Sequence, residues 1–91
     1  MPLSPKSRQQ LKARAHALKP IVYIGQNGLS EAVNKEMDSA LSFHELMKVK
    51  LQIKDRALRR EVLAEICKIH QAESVQLIGN IGVIYRKNPE K

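Results

Sequence analysis

Apolar residues recur with two different periodicities along the chain, one typical of a helix and one typical of a strand. In three stretches they recur three and four positions apart, which places them on one face of a helix. These stripes are Leu11, Ala15 and Leu18; Val33, Met37, Ala40, Leu41 and His44; and Leu58, Val62, Leu63, Ile66 and Ile69. The pattern therefore predicts three amphipathic helices.

Capping residues and prolines indicate where these helices begin and end. Ser4 is a capping side chain, and Pro5 after it lacks an N–H that the first helical turn would leave unpaired in any case. Pro20 should close the first helix, and Ser30 can cap the second. The third helix is predicted over Ala57–Gln71.

Short runs between and after the helices are typical of strands. Ile21–Ile24 is an apolar run that ends at Gly25. From Leu46 the period is two: Met47, Val49, Leu51 and Ile53 alternate with Lys48, Lys50, Gln52 and Lys54. Ser74–Gly79 and Gly82–Arg86 should form a hairpin joined tightly at Asn80-Ile81.

The predicted order is α-β-α-β-α-β-β, which indicates one domain over residues 1–91 of the α/β class, in an α+β two-layer arrangement. Strands separated by helices favour parallel pairing, whereas a hairpin is antiparallel, so the four-stranded sheet should be mixed. Two layers would bury the helical stripes on the Val49, Leu51 and Ile53 face and leave much of the other face in solvent.

Charge adds a partner class to this picture. Sixteen Lys and Arg residues oppose nine Asp and Glu residues, for a formal net charge of +7. Residues 1–30 hold five basic and no acidic side chains, and residues 46–60 hold six basic side chains and Asp55 alone. Two such segments favour a polyanionic partner, although charge by itself does not choose among RNA, DNA and anionic lipid.

Other features narrow the choice. There is no apolar run of about 20 residues that could cross a membrane, and the N-terminal segment has too many basic residues for a secretory signal. We therefore expect no membrane partner. The single cysteine, Cys67, cannot form an intramolecular disulfide, which favours the reducing cytoplasm, and we expect a half-buried packing thiol.

The sequence lacks a recognisable catalytic set. His16, His44 and His70 are far apart, and we expect His44 to be a structural residue of the core. No carboxylate pair, metal-spaced cluster, dinucleotide fingerprint or P-loop occurs. We therefore expect no enzyme activity, cofactor, metal or small-molecule substrate.

The loop Gly25-Gln26-Asn27-Gly28 lies between a predicted strand and a helix N-terminus. Unpaired N–H groups there can receive a phosphate, and glycine allows close approach and positive φ. The same GxxG spacing at Gly79–Gly82, between two strands, predicts only a turn. By itself the first loop is equally compatible with a turn.

Four segments in order carry a resemblance: Leu18-Lys19-Pro20, Gly25–Leu29, His44–Lys50 and Ile84-Tyr85-Arg86. Together they resemble the CRM domain, the chloroplast RNA splicing and ribosome maturation family, in its single-domain bacterial YhbY form. The resemblance covers nearly the whole chain. It implies a fold similar to the C-terminal domain of bacterial translation initiation factor three, RNA binding, and association with precursors of the large ribosomal subunit.

The resemblance also implies a site. The family's GxxG loop is taken to contact RNA, which corresponds here to Gly25, Gln26, Asn27 and Gly28. That loop often includes a basic residue, and Gln-Asn stands here instead, so contacts would come from backbone N–H and amide groups. We expect the electrostatic contacts to come from basic residues nearby, namely Lys12, Arg14, Lys19, Lys48, Lys50, Lys54 and Arg56.

Aromatic residues are scarce, which argues against a base-stacking platform and for weak sequence preference. Only Tyr23, Phe43 and Tyr85 could stack, and we expect at least two of them in the core. The alternative to a monomeric ribosome maturation factor is a protein-interaction scaffold or permanent ribosome component. An RNA-modifying enzyme would need a convergent site, and DNA binding is disfavoured because no helix-turn-helix is predicted.

Overall fold

The computed structural model describes residues 3–88; residues 1–2 and 89–91 of the predicted domain lie outside the described residues. The elements are α1 (Pro5–Ala15), β1 (Pro20–Ile24), α2 (Glu31–His44), β2 (Leu46–Leu51), α3 (Arg56–His70), β3 (Glu73–Ile78) and β4 (Ile81–Tyr85). The strand order is β1-β2-β4-β3, with β1 parallel to β2 and the other pairs antiparallel. The predicted fold class, element order and mixed sheet are confirmed.

Each helix begins at a side chain that accepts a backbone hydrogen bond. The oxygens of Ser4, Ser30 and Asp55 accept from the N–H three residues later, at 3.1, 3.1 and 3.2 Å. Asp55 therefore starts α3 one residue before the predicted position. At the other end of α1, the helix stops at Ala15, so Leu18 lies outside it and is 37% exposed, contrary to its predicted place on the stripe.

Helices α2 and α3 cover one face of the sheet. Met37 and Leu41 of α2 and Ile66 of α3 are fully buried there. Their strand partners include the predicted apolar face of β2, Val49, Leu51 and Ile53. Ile69 was expected on the α3 stripe but is 47% exposed, because the buried side of the last turn of α3 is at His70.

Helix α1 lies on the opposite face, which corrects its predicted place in a two-layer arrangement. Leu11 and Ala15 pack in a second core with Leu46, Val75 and Val83. Because strand side chains alternate, Leu46 points away from its neighbours in the main core. These three strand residues form an apolar surface against which Leu11 and Ala15 of α1 can pack. The other face of the sheet is already covered by α2 and α3.

Arg86, the residue after β4, links the end of that strand to α2 by hydrogen bonds and an ion pair. Its guanidinium group donates to the Asp38 carboxylate at 2.8 Å, to the Asp38 carbonyl at 3.1 Å and to the Ser42 hydroxyl at 2.9 Å. Two residues later, the N–H of Asn88 donates to the Glu45 carboxylate at 2.7 Å. Arg86, which carried part of the family resemblance, therefore has a structural role in this protein.

The buried histidine is His70 and not His44. His70 is 7% exposed, and its Nε2 lies 3.0 Å from the Asn34 amide oxygen. Burial lowers the pKa of His70; Asp38 acts in the opposite direction and Arg86 adds to the lowering. The prediction for His44 is wrong because it ends α2 at the surface, where its ring meets the exposed ring of Phe43 at a centroid distance of 4.8 Å.

The lowered pKa of His70 predicts a pH-dependent stability. The folded state favours the neutral ring, so protonation favours the unfolded chain. The stabilising contribution should be complete above the ordinary pKa of 6.5 and be lost as the pH falls through 6.5 towards the folded value. Urea unfolding at about pH 7.5 and about pH 5.5 measures this loss. The uncharged variant His70→Gln should show a smaller difference between the two pH values; an unchanged difference would assign the effect to another group.

Candidate nucleic-acid interface

The loop Gly25–Gly28 is a tight, exposed turn between β1 and α2. The N–H of Gly28 donates to the carbonyl of Gly25 at 3.0 Å, and Gly28 has a φ of +76°, a conformation that favours glycine. Gly25, Gln26 and Asn27 are exposed. The turn therefore presents its backbone and two amide side chains to solvent.

The two glycines of the loop have different constraints. The expected positive φ is found at Gly28 but not at Gly25. A Cβ built on Gly25 meets no atom within 4 Å, so packing in the protein does not require a glycine there. A ligand lying directly against the backbone would require a glycine at this position, because a Cβ would hold the ligand away.

The second GxxG segment contains a hairpin turn, as predicted, but the turn is at Gly79-Asn80 and not at Asn80-Ile81. Gly79 has a φ of +57° in the hairpin between β3 and β4. Gly82 lies within β4, where a Cβ would come 2.8 Å from a methyl carbon of Leu63 in α3. One glycine turns the chain and the other lets α3 pack closely on the sheet.

The glycine loop shares one end of the sheet with two other segments. The N–H of Gln52 donates to the carbonyl of Ile24 at 2.7 Å, which joins the chain after β2 to the start of the loop. The Arg59 guanidinium donates to the carbonyls of Gly79 and Lys54, at 2.7 and 3.0 Å. This network brings the exposed residues Lys54 and Arg56 to the loop's end of the sheet.

The lysines of β2 point away from the main core. Lys48 and Lys50 alternate with buried Val49 and Leu51, so their side chains lie on the α1 face. Both are half-buried. Within the part of the chain that the structure describes, the ion pairs are Lys35–Glu31 and Arg86–Asp38, so neither strand lysine has an acidic partner.

Helix α1 adds one predicted base to this surface. Lys12, His16 and Lys48 line a cavity of about 210 Å³ between α1 and the sheet. Lys19 is exposed in the segment just before β1. We call Lys12, Lys19, Lys48 and Lys50 the basic face.

Arg14 lies elsewhere. It borders a separate groove with Leu3, Ser7 and Tyr85, so the structure does not bring it together with the strand lysines. A second base of α1, Arg8, donates to the carbonyl of Ser74 and so links α1 to β3.

An aromatic residue, Tyr23, belongs to this surface, although it was not predicted as a site residue. Tyr23 is 53% exposed and stands beside Lys50 in the register of β1 and β2. Phe43 is 74% exposed, and only Tyr85 packs against a core, so the expectation that at least two aromatic rings are in the core is wrong. The sequence did contain a signal for this exposure. Tyr23 lies between the β-branched residues Val22 and Ile24, which are buried, so its own side chain points to the other face of the sheet.

Three other features of residues 3–88 concern the cysteine, possible metal ligands and possible membrane helices. Cys67 is half-buried as predicted, and burial, with a smaller effect of Glu73, raises the pKa of its thiol to about 11, which keeps it protonated. Among these residues, no three His, Cys, Asp or Glu side chains are grouped so that they could hold a metal ion. None of the helices described is long and apolar enough to span a membrane.

Known proteins resemble this chain along most of its length. The model of the CRS1 / YhbY (CRM) domain matches residues 3–86. A Pseudomonas aeruginosa protein named as a probable RNA-binding protein is 42% identical over 90 residues, covering 99% of this chain and 86% of its own. A Haemophilus influenzae protein named as an RNA-binding protein is 44% identical over 88 residues, covering 97% and 89%.

A solved structure has the same fold. The solution structure of a hypothetical Staphylococcus aureus protein, described as a candidate RNA-binding protein, superposes with a TM-score of 0.84 at 33% identity and covers 93% of this chain and 88% of its own. The sequence match, which spans nearly every described residue, and the shared fold lead to one assignment. The chain belongs to the CRS1 / YhbY (CRM) domain family.

Proposed function

We propose that this protein binds RNA through the Gly25–Gly28 loop and the basic face, as a binding protein and not as an enzyme. The observation that carries the proposal is the exposed glycine turn beside lysines that have no ion-pair partner among the described residues. The names of the relatives from P. aeruginosa and H. influenzae support the same partner.

The loop is suited to hold a phosphate by its backbone. Ser30 accepts the N–H of Val33, and its carbonyl accepts that of Asn34, so the N–H groups of Glu31 and Ala32 precede the hydrogen bonds of the helix. Together with the helix dipole they favour an anion. The amides of Gln26 and Asn27 can add hydrogen bonds to phosphate or sugar oxygens without adding charge.

The lysines supply the charge that the loop lacks. Lys48 and Lys50 follow one strand at a spacing of two residues, and Lys54 and Arg56 continue towards the loop's end of the sheet. Each phosphate that is neutralised releases counterions, so affinity should depend strongly on salt. Arg14 is the weakest member of the predicted set, because it borders a different groove.

We further propose that the RNA is precursor RNA of the large ribosomal subunit and that the protein assists ribosome maturation as a cytoplasmic monomer. This proposal rests on the family resemblance and on the small, basic surface, which suits binding by RNA shape. A scaffold or permanent ribosome component would use the same surface differently, since it would stay on the finished particle.

Substitution in the loop should separate binding from folding. Gly25→Asp places a negative charge on the exposed backbone, and we expect about a tenfold or greater loss of RNA affinity with little change in stability, because the added side chain enters open space. Gly25→Ala adds only a Cβ, which would hold a ligand away from the backbone without adding charge, so it should weaken binding less than Gly25→Asp does. Filter binding or fluorescence anisotropy, with thermal unfolding of each variant, measures both effects.

The matched control is Ala64→Asp, which makes the same charge change at an exposed position of α3. It should retain wild-type affinity. Equal losses in the two Asp variants would indicate a general charge effect, and wild-type binding by Gly25→Asp would remove the loop from the interface.

The strand lysines should determine part of the salt dependence. In Lys48→Gln/Lys50→Gln the side-chain stems are largely kept, and the slope of log affinity against log salt should become shallower by about 1.4, or about 0.7 per lost contact on single-stranded RNA. The control Lys68→Gln/Lys87→Gln changes the net charge equally at exposed positions and should keep the slope. Identical slopes for both double variants would argue against a localised basic face.

Occupancy on ribosomal particles tests the proposed role. After gradient centrifugation of a cell extract, the tagged protein should sediment with precursors of the large subunit and be depleted from mature subunits. The Gly25→Asp variant should remain in the light fractions. Stable recovery on mature subunits would favour the permanent component instead.

A further inference from the structure

A cross-strand row of four side chains remains open beside α1. The register pairs Tyr23 with Lys50, Lys50 with Ile81, and Ile81 with Ile78, so these residues cross the whole sheet. We call this set the open row. Tyr23 is 53% and Ile78 is 63% exposed, at the two edge strands.

Helix α1 leaves the open row uncovered because it packs further along the strands. Its partners Leu46 and Val83 lie towards the other end of the sheet, and their register neighbours are Tyr85 and Lys48. The cavity that Lys12 and Lys48 line reaches Ile78 and Ile81. The open row therefore borders the basic face along its length.

The chemistry of the open row matches an unpaired nucleotide. Neighbouring strands are about 4.8 Å apart, so the Tyr23 ring and the Lys50 ammonium can meet one base and one phosphate of the same strand. In an RNA duplex the bases are stacked and paired, and side chains meet mainly sugars and phosphates. A ring beside an ammonium group thus distinguishes single-stranded from double-stranded RNA.

We propose that Tyr23 stacks on an unpaired base of the bound RNA while Lys50 contacts the adjoining phosphate, so that the protein prefers single-stranded segments to duplex. This inference rests on the proposed RNA-binding function. Gly25 is the first residue after β1 and lies two residues beyond Tyr23, a distance of about 7 Å in extended chain. The stacked base and the backbone held at the loop therefore belong to neighbouring nucleotides.

The charge of the surface favours RNA over a protein as the occupant. The lining of the cavity beside the open row includes Lys12, His16 and Lys48 and no acidic side chain. Lys50 has no acidic partner within residues 3–88. An apolar protein patch would leave Lys50 desolvated and unpaired, which is costly. A phosphate compensates that charge, and the base covers the apolar surface on either side of it.

The test compares Tyr23→Leu, which removes the ring, with Tyr23→Phe, which keeps it. The probes are a single-stranded RNA of about twelve nucleotides, the same length of RNA as abasic backbone, and an RNA duplex. Tyr23→Leu should weaken binding to the intact single strand by roughly 5- to 100-fold and leave the abasic and duplex affinities unchanged. Tyr23→Phe should bind as wild type does, and Phe43→Leu, which removes an exposed ring from α2, is the matched control.

A spectroscopic measurement on the wild-type protein gives a second readout. With 2-aminopurine in the single strand, binding should change the base fluorescence at one position, and Tyr23→Leu should abolish that change. If Tyr23→Leu binds and perturbs the fluorescence as wild type does while Gly25→Asp loses RNA, stacking is overturned and RNA binding stands. If the wild-type protein binds none of the three probes, the proposed function fails as well.

Discussion

The register of β2 is the constraint on which the rest of the structure depends. This strand lies between β1 and β4, so each of its residues must face one side of the sheet or the other. Val49 and Leu51 enter the main core, and Lys48 and Lys50 therefore emerge on the α1 face. A shift of one residue would exchange these faces and bury two ammonium groups, a cost that no described acidic partner would offset. The sharp separation of apolar and basic surfaces follows from that alternation.

The position of α1 then determines which part of the lysine-bearing face of the sheet is covered and which part stays open. Helices α2 and α3 each connect strands that run parallel, so the right-handed crossover rule assigns both to one face. Helix α1 precedes every strand and has no crossover to fix its side. It settles where Leu46, Val75 and Val83 offer apolar contact, and the remainder of that face becomes the cavity beside Lys12 and the open row.

Features that depend on local sequence pattern could be predicted, and features that depend on contacts between distant elements could not. Element order, the caps Ser4 and Ser30 and the two faces of β2 depend on local sequence patterns, and they were predicted correctly; the cap Asp55 was not predicted. The side chosen by α1, the burial of His70 in place of His44, and the exposure of Tyr23 depend on where elements end and which partners they meet. The Asn34 side-chain oxygen of α2 lies 3.0 Å from His70 Nε2 and can accept its hydrogen bond, which satisfies the buried ring. No sequence spacing encodes that contact between the two helices.

The candidate site was predicted in part for the same reason. Its glycine loop and strand lysines follow from local patterns, whereas the separation of Arg14 from them is a consequence of helix placement. Within the loop, the fold explains Gly28 by its positive φ but leaves Gly25 unconstrained by packing. Backbone and amide groups at the loop would fix geometry without charge, and lysines would supply attraction without fixed geometry. The aromatic ring of Tyr23, beside Lys50, would add a contact that only an unstacked base can make, so selection among RNAs would depend on local strand structure more than on sequence.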